Sequence, residues 1–388
     1  MTEESLVQIL EESADPTFEQ QEKKRGALEP GIGLCLSGGG YRAMLFHVGA
    51  LWRLNELGCL PRLARISSVS GGSITAAALG LNWSRLAQAQ FSPAAFQEGL
   101  VAPIRRLARV TIDVKAIVVG MILPGSINRL LTKAYRRHLF GDATLQDLPE
   151  TPRFTLNATN VGSAVLWRFA KPYMWDYRVG QVKEPQVPLA QVVAASSAFP
   201  PFLSPQELAL NPQAFTPGTG DDLQYEPYTE QAILTDGGVY DNLGLQPVWH
   251  RYQTVLVSDA CAGLQPEARP ARTWPLHIYR VLLIIDNQVR SLRKRQLIGS
   301  YKAKLRSGTY WGIGSNISNY KLNDSLPCPF QQTFTLARTP TRLAAMEPVL
   351  QERLINWGYA VCDAAMRRHV DQGAPVPAGF PYPAAGVG

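Results

Sequence analysis

The sequence predicts an α/β domain with a mainly parallel central sheet and flanking helices, and three observations carry that prediction. The apolar run Ile32 to Leu36 passes through Ser37-Gly38-Gly39-Gly40 into a helical pattern. In it Leu45, Val48, Leu51, Trp52 and Leu54 recur at three- and four-residue spacing. A second run, Ala64 to Val69, turns at Ser70-Gly71-Gly72 into the small-residue helix Ile74 to Leu79. Strand, glycine turn and helix, twice in succession, mark parallel strands joined by crossover helices. Composition is the third observation: 388 residues, 46% hydrophobic and 18% charged, can bury a large core, which excludes wholesale disorder.

The remaining elements follow in order. Residues 93–139 read as helical with a break near Pro124-Gly125, and Phe154 to Thr159 with Val165 to Ala170 reads as an adjacent strand pair. Leu189 to Ser197 is helical and is ended by Phe199-Pro200-Pro201. Residues 204–231 form a long polar stretch rich in Pro, Gly, Asp and Glu, and a loop of that length is a lid candidate. Ile233 to Thr235 is a short strand ending in Asp236-Gly237-Gly238, and Thr254 to Val257 is another. Two long helical stretches, roughly 277–306 and 342–369, complete the domain. No internal repeat or hinge-like linker divides it. The organisation is therefore an N-terminal arm over 1–29, one domain over 30–370, and a Pro/Gly-rich tail over 371–388 expected to be disordered.

Composition also narrows the setting. The longest apolar stretch, Ala116 to Leu123, falls far short of the roughly 20 residues that span a bilayer. The first thirteen residues are acidic where a secretory leader is basic. Five scattered cysteines give neither a disulfide framework nor a metal site, and Cys35 reads as a small buried hydrophobe. The expectation is a reduced, cytoplasmic protein with no metal and no cofactor. The net charge is +7, and from Asn287 to Leu322 there is no acidic residue. A second basic region runs from Arg105 to Arg137, opposed only by Asp113. Such clusters suit a phospholipid surface or nucleic acid. Recognisable nucleic-acid motifs are missing, which favours a peripheral anionic membrane.

Two glycine turns carry candidate chemistry. Ser37-Gly38-Gly39-Gly40-Tyr41-Arg42 lies between a strand and a helix N-terminus, where bare backbone N–H groups and the helix dipole suit a phosphate or a developing oxyanion. Gly38-x-Gly40-x-x-Ala43 also fits a dinucleotide fingerprint, but the acidic residue required at the end of the second strand is replaced by Val69-Ser70. That serine stands on a strand-to-helix turn flanked two positions away by Ser68 and Gly72, as a nucleophile needs; an ordinary helix N-cap explains it equally. Of the five histidines, His47, His138, His250, His277 and His369, none follows a strand in a glycine-rich turn, so none stands out as its base. Asp236 does end a strand before Gly237-Gly238 and projects from the sheet edge where α/β sites lie. A routine Asp-Gly turn is its bland alternative.

Together, Ser37 to Arg42, Val69-Ser70-Gly71-Gly72-Ser73, Ala194-Ala195-Ser196-Ser197-Ala198-Phe199-Pro200, and Asp236-Gly237-Gly238 with Asn242 resemble the patatin-like phospholipases. The first block, continued by Ala43-Met44, is also similar to cytosolic phospholipase A2. The resemblance covers Ile32 to Gly244, and residues 94–150 and 260–388 carry no assignable motif. It implies the three-layer patatin-like fold and a Ser–Asp dyad without histidine. Ser70 would attack a lipid ester and Asp236 would accept its proton. Gly38, Gly39 and Gly40 would form the oxyanion hole, with Arg42 stabilising it or a phosphate head group. Ser68 departs from the family's first glycine, and Asp241 is an alternative carboxylate. An acyltransferase using the same dyad, or an inactive lipid-binding module, are the competing readings.

Overall fold

A computed structural model describes residues 28–113 and 126–388; residues 1–27 of the arm and the apolar run Ala116 to Leu123 lie outside the described residues. The expected motif strands and helices are present. Strand β1 (Glu29–Leu36) leads into helix α1 (Gly40–Glu56), and β2 (Leu63–Val69) into α2 (Gly71–Leu81). After α3 (Ser126–Tyr135) come β3 (Arg153–Asn160), β4 (Val165–Ala170), β5 (Tyr173–Asp176) and β6 (Gly180–Lys183). Helix α4 (Leu189–Ser196), β7 (Gln206–Ala209), β8 (Gln231–Asp236) and β9 (Tyr252–Asp259) follow. The chain then forms α5 (Trp274–Lys302), β10 (Ser307–Gly312) and α6 (Pro348–His369).

The sheet runs β10-β9-β1-β2-β3-β4-β5-β6, parallel from β10 to β3 and antiparallel from β3 to β6. Alternation along β1 sets its two faces. Leu34 and Leu36 join the large core with α1, α2, α4 and α6, while Cys35 packs with Val248 and Leu297 on the other side. The result is three layers, helix on sheet on helix.

One junction matters most for function. On one edge, β3 pairs with β2 up to Val69↔Asn157, and the next residue pairs with β8 at Ala158↔Asp236. Since β8 is antiparallel to β3, the C-terminal ends of β2 and β8 meet head to head on adjacent residues of β3. Topology alone therefore brings Ser70 and Asp236 together across 166 positions of sequence.

The tail over 371–388 corrects its expectation of disorder. Val387 is buried in the main core, and Asn356 of α6 donates Nδ2–H to the carbonyls of Tyr382 and Gly386, each at 2.8 Å. Arg105 lies 4.7 Å above the Tyr382 ring. Irregular backbone stays ordered when buried side chains satisfy its polar groups, which a Pro/Gly count does not reveal.

Candidate active site

Ser70 is the residue between β2 and α2, and its φ of 51° is a left-handed conformation that a non-glycine residue rarely adopts. Strain of this kind persists only where the surroundings hold it. A hydroxyl relay does so. Ser70 N–H donates to Ser196 Oγ at 3.0 Å, and Ser196 Oγ donates to the Asn157 carbonyl at 2.7 Å. Each hydroxyl has one proton, so Ser73 must donate to Ser196 (2.8 Å) and Ser68 to Ser73 (2.9 Å). Ser68, which departs from the family's glycine, thus leaves the turn intact and supplies the first donor of the relay. Gly72 has no such latitude: a Cβ there would stand 2.5 Å from the Leu36 carbonyl oxygen.

Asp236 is 2% exposed. Its N–H donates to the Ala198 carbonyl at 2.9 Å, and its own carbonyl accepts from Thr159 Oγ1 at 2.9 Å. The Ala194-to-Pro200 block therefore holds both members of the pair, Ser70 through Ser196 and Asp236 through Ala198. Asp236 Oδ1 accepts Gly238 N–H at 2.7 Å, while Oδ2 lacks a hydrogen bond of ordinary geometry. Burial pushes this carboxyl up to about 7, against the pull of the Gly238 amide and of the nearby Ser70 hydroxyl, with the Asp286 charge adding to the rise. A carboxylate of that basicity at the strand end suits proton abstraction near neutral pH.

Both residues line a cavity of about 580 Å³. No histidine lines it. His47 is fully buried elsewhere: its Nε2–H donates to the Ser37 carbonyl at 2.9 Å, leaving Nδ1 to accept from Ser258 Oγ at 2.8 Å. Burial pushes this imidazole down to about 4, so it stays neutral. Asp241 does not reach the cavity either; Oδ2 accepts Gln246 N–H at 2.7 Å.

The glycine turn divides its duties differently from the expectation. The N–H of Gly38 is spent on the Asn242 carbonyl at 3.1 Å, and Gly38 does not line the cavity, so its place in an oxyanion hole is corrected. Gly39 and Gly40 do line it, and among the described residues their N–H groups donate to no protein acceptor. Gly39 has φ 134°, a backbone state that a side chain would strain. Arg42 is buried, with Nε on the Ala260 carbonyl at 3.1 Å and Nη1 on the Thr339 carbonyl at 2.6 Å. Nη2 lies beside Gly39, 3.1 Å from where a Cβ would stand. The guanidinium is thus fixed by two bonds with its third nitrogen beside Gly39.

The far wall comes from residues that sequence reasoning left unassigned. Asp286 and Arg290 project from α5, and Arg342 pairs with Asp113 at 2.9 Å. No motif marks them: Asp286 and Arg290 lie inside the helical stretch read over 277–306 and Arg342 opens the one read over 342–369, and helical spacing alone does not show which polar residue meets the site. Burial raises the Asp286 carboxyl above its usual range. The lid expectation for 204–231 also changes. None of these residues lines the cavity; β7 pairs with β8, and Arg178 beyond β5 grips Asp222 through Nη2 at 2.6 Å. Residues 261–290 cover the site instead. The two basic regions are partly committed as well: Arg105 pairs with Glu352 at 2.7 Å and Arg293 approaches Asp241 at 3.7 Å. Among the described residues no group of ligands could hold a metal ion, and no helix is long and apolar enough to cross a membrane.

The family model described as Patatin-like phospholipase matches residues 34–249, more than half of the chain and both members of the Ser70–Asp236 pair. SPO1 of Saccharomyces cerevisiae, named for a meiotic phospholipase, is 36% identical over 73 residues, 19% of this chain and 12% of its own. Human GIVD cytosolic phospholipase A2, solved with methyl gamma-linolenyl fluorophosphonate, is similar at 15% identity and TM-score 0.49. That match covers 89% of this chain and 60% of the human one. VipD from Legionella pneumophila is similar at 14% identity and TM-score 0.35, covering 89% of this chain and 68% of VipD.

Proposed function

Because the chain belongs to the patatin-like phospholipase family, we propose that it is a lipid acyl hydrolase that cleaves the carboxylic ester of a glycerophospholipid or related lipid through an acyl-serine intermediate. The observation that carries this reading is the strained Ser70 beside the buried, basic Asp236 on one cavity that no histidine lines. Ser70 Oγ attacks the ester carbonyl as Asp236 takes its proton. The C–O bond to the leaving alcohol then breaks, and the alcohol receives that proton. Water repeats the sequence on the acyl-serine, with Asp236 as base and Ser70 as leaving group. The charge that builds on the carbonyl oxygen meets the amides of Gly39 and Gly40 and the Arg42 guanidinium, fixed before the reaction begins. Phe199, Leu203 and Leu283 give the cavity an apolar wall for an acyl chain. The substrate is presented by an anionic membrane surface to which the protein binds peripherally, and no cofactor takes part.

A fluorophosphonate probe tests this directly. It should label the parent at Ser70 and leave Ser70→Ala unlabelled. Ser70→Ala and Asp236→Ala should each lose at least about 10³-fold in ester hydrolysis and combine non-additively, since nucleophile and base act as a unit. Full activity in Asp236→Ala would end the dyad reading, and labelling at another residue would move the nucleophile.

A further inference from the structure

Helix α5 is amphipathic the wrong way round. Tyr279, Leu283, Asp286, Asn287 and Arg290 follow an i, i+4, i+7, i+8, i+11 pattern and face the cavity with mostly polar or charged groups. Trp274, Ile278, Val281, Leu282 and Ile285 follow the same pattern on the opposite face, and they are 40% to 76% exposed. Leu292, 58% exposed, extends that stripe by two turns. A surface helix ordinarily turns its apolar stripe to the core and its charges to water. Contiguous exposed apolar side chains of this kind mark an interaction surface.

We propose that the outward stripe of α5 is the face by which the protein inserts into a phospholipid bilayer. The inference rests on the lipid hydrolase reading for its occupant, and three observations favour a bilayer over a second copy of the chain. Stripe and cavity lie back to back on one helix, so sinking the stripe below the head groups brings the cavity to the level from which a lipid ester must be drawn. Phe202 extends the apolar rim, 43% exposed and with its ring 5.9 Å from that of Tyr279. The charge pattern fits as well. The helix carries one acidic residue, Asp286, which turns into the cavity, whereas exposed Arg272, Arg295 and Lys302 flank the stripe. Apolar insertion flanked by cations is how an interfacial helix holds an anionic surface.

The test uses the full chain carrying Ser70→Ala, so that vesicles are not consumed, with and without Ile278→Ser, Leu282→Ser and Ile285→Ser. Sedimentation with vesicles of phosphatidylcholine and phosphatidylserine should show the triple variant binding at least about 30-fold more weakly, because three inserted aliphatic chains are lost. The binding that remains in the parent at high salt should vanish in the variant. With Ser70 restored, the triple variant should keep its rate on a short-chain soluble ester and its Tm. Unchanged vesicle binding overturns the proposal, and so does a fall in Tm, which would place the stripe against the chain itself. Conversion of a parent dimer to monomer in size-exclusion chromatography overturns it in favour of a second copy. Loss of the hydrolase reading appears separately, as a parent that binds vesicles but hydrolyses no ester.

Discussion

Two long helices of this protein read alike in the sequence and do opposite work. Helix α6 is buried along most of its length, from Leu354 to Arg367, and packs lengthwise on α1. Its one buried carboxylate, Asp363, is held between Arg53 and Arg367, whose Nε atoms approach it at 2.9 and 3.0 Å. Helix α5 buries only Arg290, Leu297 and Ser300 along 29 residues. Both carry aliphatic residues at helical spacing, yet α6 sends them into the core while α5 sends most of them outward, Leu283 and Leu297 excepted. Periodicity establishes that a helix has two faces; the neighbours decide which face is covered.

The sharpest way to break this comparison is to truncate one side chain on each helix. Trp357 of α6 is fully buried and donates Nε1–H to the Ile313 carbonyl at 2.8 Å. Trp357→Ala should cost about 3–5 kcal/mol of stability, through the cavity it opens and the carbonyl it leaves unpaired. Leu282→Ala on α5 should change stability by less than about 0.5 kcal/mol. Denaturant unfolding measures both, and similar losses at the two positions would mean that α5 is packed as α6 is.

The same contrast explains what the sequence made legible. The half of the site built by β1–α1, β2–α2 and the end of β8 could be read because backbone needs residue types there: small residues where chains crowd at Gly72, a positive φ at Gly39, a strand end at Asp236. Short strands β5 to β7 escaped notice because each depends on a partner already in the sheet. The opposite wall escaped for a similar reason. Asp286, Arg290 and Arg342 serve through tertiary placement, and nothing local constrains their neighbours. Gly38 is the instructive miss: the motif located three glycines correctly, but only the fold revealed that the Asn242 carbonyl claims the first amide.

Arg42 joins the two halves, since α1 carries it while its bonds run to the Ala260 and Thr339 carbonyls of the covering segments. Arg42→Ala should lower kcat by roughly 10²-fold, the scale of losing one oxyanion donor, with a smaller change in KM. Arg42→Lys should recover little, because an ammonium cannot hold two divergent carbonyls and still face the cavity. Normal kcat with a lowered Tm in Arg42→Ala would make the residue a brace between the halves and nothing more.

The smallest effect asks whether the wall that carries no motif tunes the one that does. In the proposed mechanism Asp236 must be ionised to accept a proton, so activity should fall as pH drops through about 7, the value to which burial pushes its carboxyl. The Asp286 charge on α5 contributes to that rise, and its side chain also bonds Asn242. Asp286→Asn removes a like charge without removing bulk, so Asp236 should ionise more easily and the acid limb of kcat/KM should move to lower pH. A displacement of a few tenths of a pH unit is expected, because desolvation is the larger cause and remains. At pH 6 the variant should then retain a larger fraction of its maximal rate than the parent does. An unmoved limb would separate the two walls electrically and leave α5 with covering the cavity as its sole part in the chemistry.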